Sequence, residues 1–437
     1  MSEGAPLNVI YVQNGSGTGG TGFSLDVLLT HLDTGRFRSL VWTCNDGPMV
    51  RRWEERGARV VVHRMHLFEG LDPTFVLGAI ERDPARWRRW GLQTLNAARA
   101  VAALPGEILF LRRLRAGHGV IVHVNSIVAL TAGLSAGLLG LPVVWHVREI
   151  LAQGFWARLA RRIILHSASR IVAVSEAAAE PFQDADVPVQ VIHNAVDLRG
   201  FDPTIDGASA RHKLGLPLDA PVVGFVGKLF PSKGAFDLLR AMPLVLREIP
   251  SAHFLIVGGD DRPRTLSAQS TWKSRLRRLL GFGQAIDHLR LLRLEADRQG
   301  LGDRIRFLGS RHDVRSLLSA MDVVALPSHT ESFGRTIIEA MAMARPVVSV
   351  AVEGILDLIR HDENGILIPP PPRAEDLAVA IVSLLNDRSR RGALGRAARI
   401  SVVDRFAAER HARAIMAIYE ELASGHIGRQ VQMPRAY

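Results

Sequence analysis

Cysteine, lysine and long apolar runs are the scarce features of this sequence. One cysteine in 437 residues, Cys44, leaves no internal disulfide. The opening residues MSEGAPLNVIYV carry no basic stretch followed by an apolar run and a cleavage site. Together these absences give the expectation of a reducing, cytoplasmic setting. No Cys/His spacing of the kind that holds zinc occurs. One stretch, Val120 to Trp145, is long and apolar enough to be mistaken for a membrane span, but His123, Asn125, Ser126 and Pro142 interrupt it. It reads instead as strand (Val120–Val124), small-residue helix (Ile127–Leu139) and strand (Val143–Trp145), because parallel strands buried on both faces are continuously apolar.

Only Lys213, Lys228, Lys233 and Lys273 are lysine, so fifty of the 54 basic residues are arginine. With abundant Ala and Gly, this looks like a GC-rich bacterial genome, and it makes every lysine conspicuous. The formal charge of +11 suits nucleic acid, anionic lipid or a phosphorylated substrate without choosing among them. No nucleic-acid-binding motif accompanies it, so nucleic acid is not an expected partner. Apolar residues at 47% and charged residues at 22% are globular proportions that exclude disordered, collagen-like and disulfide-scaffold classes. The length suits about two domains.

Strand and helix patterns alternate. Strands read at Leu7–Val12, Leu40–Thr43, Val60–His63, Val120–Val124, Val143–Trp145, Ile171–Val174 and Val189–Ile192, and such alternation means a parallel, doubly wound sheet. The segment Asn194–Asp202 breaks the pattern and reads as a linker. A second series follows at Val222–Val226, Phe254–Val257, Ile305–Leu308, Val323–Leu326, Val347–Val350 and Ile366–Ile368. The expected architecture is α/β with two Rossmann-like units, 1–197 and 198–400. A last helical stretch, about Arg388–Leu422, has no strand after it, and 401–437 is expected to pack back on the first unit.

Gly15-Ser-Gly17-Thr-Gly19-Gly20 satisfies GxGxxG between a strand and a helix, and Asp46 follows the next strand. A dinucleotide enzyme would use both, but the glycine motif alone is weak, and such loops also bind phosphates or acceptors in other doubly wound proteins. The second half is more specific. Lys228 and Lys233 flank the loop Gly227–Gly234 at a strand's carboxyl end, where ligands of open α/β sheets bind. Two lysines in an arginine-rich chain suggest point-charge contacts, and a diphosphate is the obvious anion. In Pro327-Ser-His-Thr-Glu331-Ser-Phe333-Gly334-Arg-Thr-Ile-Ile-Glu339, the pair Phe333-Gly334 falls at a helix N-terminus, which favours phosphate. Glu331 and Glu339 would repel that phosphate unless aimed elsewhere, and a carboxylate binds vicinal sugar hydroxyls well.

This Glu-x7-Glu segment resembles the retaining glycosyltransferases of family four, which have the GT-B fold. So do Gly227-Lys-x4-Lys233-Gly, Asn194-Ala-Val-Asp197, Gly258-Gly-Asp, Phe307-Leu-Gly and Asn364-Gly-Ile-Leu-Ile-Pro-Pro. The likeness runs in order over roughly Val9 to Leu385 and is strongest after Asn194. It implies a nucleotide diphosphate sugar donor, a saccharide or lipid-linked hydroxyl acceptor, and retention at the anomeric carbon. It further implies that Glu331 contacts donor-sugar hydroxyls, Glu339 the ribose, and Lys228 and Lys233 the diphosphate. Gly19-Gly20 would approach the donor phosphate and the acceptor, and His146 would line the sugar site. With Glu331, His146 and Lys233 as the catalytic set, no cofactor or metal is called for: Asp184-Ala-Asp186 resembles a metal-binding DxD only formally, since it sits in a turn ahead of Pro188. Three positions depart from the family pattern, with Lys228 where arginine is usual, Ala344 where glycine is common, and Ile355-Leu-Asp357 where Pro-Glu is frequent. Other expectations compatible with nucleotide binding are a nucleotide-sugar epimerase or phosphorylase of the same fold, or a non-catalytic sugar-nucleotide-binding module.

Two insertions exceed a minimal α/β unit. Glu81–Gly117 carries eight arginines against three acids, with Trp87, Trp90 and Phe110; Arg262–Arg293 carries seven arginines and Lys273 against Asp287, with Trp272 and Phe282. Interleaved basic and apolar residues suit an anionic membrane surface. Peripheral attachment to the inner face of the cell membrane, with a cell-surface polysaccharide or glycolipid acceptor, is the resulting expectation. An ordinary solvated basic face explains either insertion taken alone.

Overall fold

The computed structural model describes residues 6–17, 19–67, 86–115, 119–151, 153–259 and 287–431, and the side chains of all of these except 86–93 and 426–431. The chain divides into two compact units, Met1–Asp197 with Arg405–Tyr437, and Leu198–Asp404.

The first unit runs β1 (Leu7–Gln13), α1 (Gly20–Thr30), β2 (Phe37–Thr43), α2 (Pro48–Glu55), β3 (Arg59–Val62), α3 (Arg86–Leu114), β4 (Val120–Val124), α4 (Leu130–Leu138), β5 (Val143–Val147), α5 (Phe155–Ser167), β6 (Arg170–Ala173), α6 (Glu176–Ala179) and β7 (Val189–Val191). Its seven strands lie in the order β3-β2-β1-β4-β5-β6-β7, all parallel. The residues of β4 and β5 are all buried, as a strand covered by helices on both faces requires. The small residues of α4 have a packing cause: a Cβ on Gly133 would lie 2.1 Å from the Trp145 ring, and one on Gly137 would lie 2.7 Å from Ser167. The insertion at 86–114 is a helix whose buried positions Ala100, Glu107 and Leu111 recur at helical spacing. Phe110 is not turned to solvent, since it stacks on His63 at 4.0 Å and tilts against Trp42 at 4.9 Å.

The second unit runs α7 (Gly207–Lys213), β8 (Val222–Val226), α8 (Ala235–Glu248), β9 (His253–Val257), α9 (His288–Arg298), β10 (Ile305–Gly309), α10 (Val314–Ala320), β11 (Val323–Leu326), α11 (Arg335–Ala342), β12 (Val347–Val350), β13 (Ile366–Ile368), α12 (Ala374–Asn386) and α13 (Arg388–Arg405). Its parallel sheet has the order β10-β9-β8-β11-β12-β13. Of the second basic insertion, 260–286 lies outside the described residues.

The last helical stretch is not continuous. α13 belongs to the second unit, and α14 (Ala408–Val431) follows in the first. Between them the Val196 N–H donates to the Phe406 carbonyl at 3.0 Å, and an isolated bridge joins Val196 to Ala407. That extended pairing, with Phe406 buried, breaks the helix. Ala412, Ile415, Ile418 and Tyr419 of α14 then join the core of Val9, Tyr11, Leu25 and Ile121.

Ala344, where the family pattern has glycine, adopts φ 53°. It closes α11, with the Ala344 N–H donating to Met341 at 2.9 Å and the Arg345 N–H to Ala340 at 3.0 Å. That is the double bond pattern of a glycine-type helix end. Ala344→Gly relieves the left-handed strain and is expected to stabilise the protein by about 1 kcal/mol, read as a higher Tm.

Candidate functional site

In the second unit the winding reverses between β8 and β11, and two loops leave the carboxyl ends of those strands, 227–234 and 327–334. The His329 N–H donates to the Ser232 carbonyl at 2.8 Å. A Cβ on Gly234 would lie 1.9 Å from the Pro327 carbonyl oxygen, so the loops touch only because that residue has none. The result is an ion pair between Lys233 Nζ and Glu331 Oε2 at 2.6 Å, both groups partly shielded. The turn after β12 braces Glu331 from behind: Glu353 Oε2 accepts the Glu331 N–H at 3.1 Å, and the Gly354 N–H donates to the Glu331 carbonyl at 3.0 Å. Asp237 in the first turn of α8 holds His329 at 2.6 Å, and that hydrogen bond raises the imidazole above its ordinary value.

Phe333 is buried, and Gly334 is the N-cap of α11. Glu339 lies one helical face further along, 8% exposed, with Arg335 Nε and Nη2 both donating to its Oε1 at 2.9 and 2.7 Å. Lys228 is exposed, its ammonium 5.8 Å from the Phe230 ring centre. Lys228, Lys233, Glu331, Phe333, Gly334 and Glu339 therefore share one edge of the second unit. The direct contact of Lys233 with Glu331 was not foreseeable from the 98-residue separation. Glu353, Asp237 and His329 are site-building residues that the sequence reading missed; only the position of Glu353-Gly354, just before the departing Ile355-Leu-Asp357, signals any of them.

In the first unit Gly19 is the N-cap of α1, and Gly20 is its first residue. A Cβ on Gly17, Gly19 or Gly20 would meet nothing within 4 Å among the described residues. Asp46 accepts the Gly47 N–H at 2.8 Å and is exposed. Asp184 and Asp186 are exposed in a turn. Among the described residues no three His, Cys, Asp or Glu side chains are grouped to hold a metal.

His146, on β5, is fully buried. Its Nδ1 lies 3.1 Å from His123 Nε2 and 3.4 Å from Arg148 Nη2. Arg148 is itself buried, its Nε donating to Asn125 Oδ1 at 2.8 Å and its Nη1 to Asn194. Asn125 in turn donates to the Gln13 side chain and, at 3.2 Å, to the Thr21 carbonyl. Glu149 accepts from Ser126 and from the Ile127 N–H at 3.3 Å, which makes it the cap of the turn before α4. Desolvation by burial, and next the charge of Arg148, hold His123 and His146 well below the ordinary histidine value. Burial likewise pushes His411 down to about 4 against the pull of its bond to the His193 carbonyl.

These depressed values fix a sign. Below pH 6.5 the unfolded chain protonates histidines that the folded chain keeps neutral, so stability is full above that value and falls as pH drops toward 4. His411 alone accounts for about 2 kcal/mol of that loss at pH 5. His411→Gln is expected to lose less unfolding free energy than the wild type between pH 7 and pH 5, and an equal loss would contradict the assignment.

Two doubly wound parallel units, the second with lysines, carboxylates and a helix N-terminus gathered at its winding reversal, define an α/β protein of GT-B type. The chain belongs to the glycosyltransferase family: residues 18–199 match Glycosyltransferase Family 4, and residues 207–401 match Glycosyl transferases group 1. Relatives include the D-inositol 3-phosphate glycosyltransferases of Corynebacterium kroppenstedtii, 32% identical over 60% of this chain and 56% of that one, and of Kineococcus radiotolerans, 34% identical over 57% and 58%. The matched part thus spans about half the length of these curated relatives. Among solved structures, Anabaena HepE in complex with UDP and glucose aligns with TM-score 0.70 at 23% identity, covering 95% of this chain and 100% of that one. Sucrose-phosphate synthase from Thermosynechococcus elongatus aligns with TM-score 0.68 at 21% identity, covering 96% and 100%. Both show the fold.

Proposed function

We propose that the protein transfers a sugar from a nucleoside diphosphate sugar to a hydroxyl acceptor with retention at the anomeric carbon. The observation that carries this reading is the Lys233–Glu331 pair at the winding reversal of the second unit, with Glu339 eight residues on along α11. Arriving diphosphate takes Lys233 as its counterion, with the exposed Lys228 and the N-terminus of α11 adding charge, and no metal is required for that neutralisation. Glu331, released from its ammonium partner, accepts from the donor-sugar hydroxyls, and Glu339 from the ribose. The acceptor oxygen bonds to the anomeric carbon on the face the diphosphate leaves. The anomeric C–O bond breaks, and the acceptor proton passes to the departing phosphate oxygen. His146 lines the sugar site, and the Gly19-Gly20 backbone approaches the donor phosphate and the acceptor.

Incubation of the protein with a donor panel, with and without hydroxyl acceptors and in the presence of a chelator, tests this. A new glycoside keeping the donor's anomeric configuration is expected only when acceptor is present. Glu339→Ala raises the donor KM most, and Glu331→Ala lowers turnover. Product from donor alone would mean an epimerase, and full activity after both Lys233→Ala and Glu331→Ala would remove the site.

For the acceptor we propose a lipid-linked or cell-surface saccharide met at the inner face of the cell membrane. No helix among the described residues is long and apolar enough to cross a membrane. On α3, Arg99, Arg112 and Arg113 are exposed beside exposed Leu95, Val101 and Leu109; on α5, Arg158 and Arg162 accompany exposed Phe155. Between these helices runs an apolar groove of about 190 Å³ lined by Val101, Leu104, Leu134, Trp156 and Ile163. Each basic residue near an anionic leaflet contributes about 1 kcal/mol, so binding should be reversible and weakened by salt. Flotation with anionic vesicles at low salt, and its loss at high salt or with neutral vesicles, is the expected outcome; failure to float with either lipid would remove the membrane.

A further inference from the structure

At the edge of the second sheet opposite the lysine and glutamate loops, arginines gather around one aspartate. Asp322 immediately precedes β11. Its Oδ2 accepts from Arg211 Nη2 at 2.7 Å and from the Val222 N–H at 2.8 Å, and its Oδ1 lies 3.9 Å from Arg391 Nη2. Backbone carbonyls fix both arginines. Arg211 Nε donates to Ala320 at 3.0 Å, and its Nη1 to Leu218 and Ala220 at 2.6 and 3.0 Å. Arg391 Nη1 donates to Leu384 and Leu385 at 3.0 and 2.9 Å. Arg345 joins them from the strand beside β11. Val324 pairs in register with Val347, and Asp322 and Arg345 each stand two residues ahead of that pair, at the amino-terminal edge of β11 and β12. α13 closes the group: a Cβ on Gly395 would lie 2.2 Å from the Ala344 carbonyl oxygen, and Arg391 is one helical turn earlier.

Arg211 and Arg391 have partners, and Arg345 does not. Its Nε is buried, and no side-chain hydrogen bond or ion pair satisfies its guanidinium among the described residues. Burial holds it below the ordinary arginine value; Asp322 pulls the other way, and repulsion from Arg211 and Arg391 adds to the depression. Three guanidinium groups thus share one carboxylate. A shielded charge left unpaired costs stability, whereas a planar fork of unused donors beside two fixed guanidinium groups suits the oxygens of a phosphoryl group. Arg391 Nη2, too far from Asp322 for a hydrogen bond, adds further donors. We propose that Arg345, with Arg211 and Arg391, forms an anion site on the amino-terminal edge of the second sheet, taking a phosphoryl group either as the free ion or as a phosphate monoester. It lies apart from the carboxyl-edge loops of Lys228 and Lys233, and it stands whether or not the proposed transfer occurs.

Thermal unfolding of the full chain, titrated with sodium phosphate at an ionic strength held constant by sodium chloride, tests the site. In chloride alone Arg345→Gln is expected to melt at or above the wild-type midpoint, because it removes a charge that is repelled and unpartnered. Phosphate is expected to raise the wild-type midpoint saturably and to bind Arg345→Gln at least about tenfold more weakly. Arg345→Lys, which keeps the charge and loses the fork, is expected to fall between them. Lys233→Ala keeps the phosphate response, which sets this site apart from the carboxyl-edge loops. Glycerol 3-phosphate in place of phosphate separates the sources: a tighter response assigns the site to a phosphate monoester, a weaker one to the free ion, and either is binding at Arg345 if Arg345→Gln loses it. An Arg345→Gln midpoint well below that of the wild type in chloride would make the arginine a structural strut and overturn the proposal. So would equal phosphate responses in wild type and Arg345→Gln, a response lost in Lys233→Ala, or no response beyond that to chloride.

Discussion

Lys233→Ala is expected to lower kcat/KM by about 100-fold or more while changing the unfolding free energy by less than about 1 kcal/mol. The asymmetry is the point. Lys233 and Glu331 are 30% and 17% exposed at their side chains, so their mutual attraction is partly screened, and losing it costs the fold little. In the proposed transfer a departing diphosphate places up to two further charges at the same ammonium, where a fixed cation matters far more. Lys228, exposed beyond the Phe230 ring, should show a smaller loss on the same substitution. Steady-state kinetics beside thermal unfolding checks both. A Lys233→Ala protein that is unstable but kinetically normal once folded would make the pair a structural brace.

Gly258→Ala is expected to abolish donor binding and to destabilise the second unit by about 3 kcal/mol or more. Gly258 follows β9 with φ 150°, and an added Cβ would lie 1.8 Å from the Gly227 carbonyl oxygen. The loop carrying Lys228 and Lys233 begins at that carbonyl, and no flexible side chain is available to move aside. Gly227 and Gly258 are also tied by backbone bonds of 2.9 Å to Val257 and Gly309 respectively, so relief would unpick the ends of β8, β9 and β10 together. Gly300 supplies the control: its φ is 65°, and nothing lies within 4 Å of a Cβ there. Gly300→Ala should cost only about 1 kcal/mol of left-handed strain. Equal effects at the two positions would show that conformation, and not the close approach of the loops, decides the outcome.

The sheet was legible because its strands are buried on both faces and so read as unbroken apolar runs. β8, β11, β12 and β13 fall where the sequence places them. The chemistry-bearing loops were legible because lysine is rare here and because Glu331 and Glu339 flank a helix start. What sequence could not give is contact across distance. Glu331 meets Lys233, Asp237 meets His329, and Tyr419 reaches His123 across 296 residues; no local spacing encodes these. The break between α13 and α14 was hidden for a similar reason, since Phe406-Ala407 is extended by its pairing with Val196, while its own composition suits a helix. The basic insertions were legible as charge, but only the folded chain shows that Phe110 points inward.

The most direct test of a nucleotide-sugar site in the second unit is equilibrium unfolding of the wild type, Lys233→Ala and Glu339→Ala proteins against a panel of nucleoside diphosphate sugars. A ligand present at about 100 times its Kd stabilises the protein that binds it by about 2.7 kcal/mol. The account predicts that at least one uridine or guanosine diphosphate sugar raises the wild-type midpoint saturably and that both variants, folded and cooperative without ligand, lose that rise. Stabilisation of all three proteins alike would place the ligand elsewhere, and no stabilisation of the wild type by any member of the panel would contradict the account.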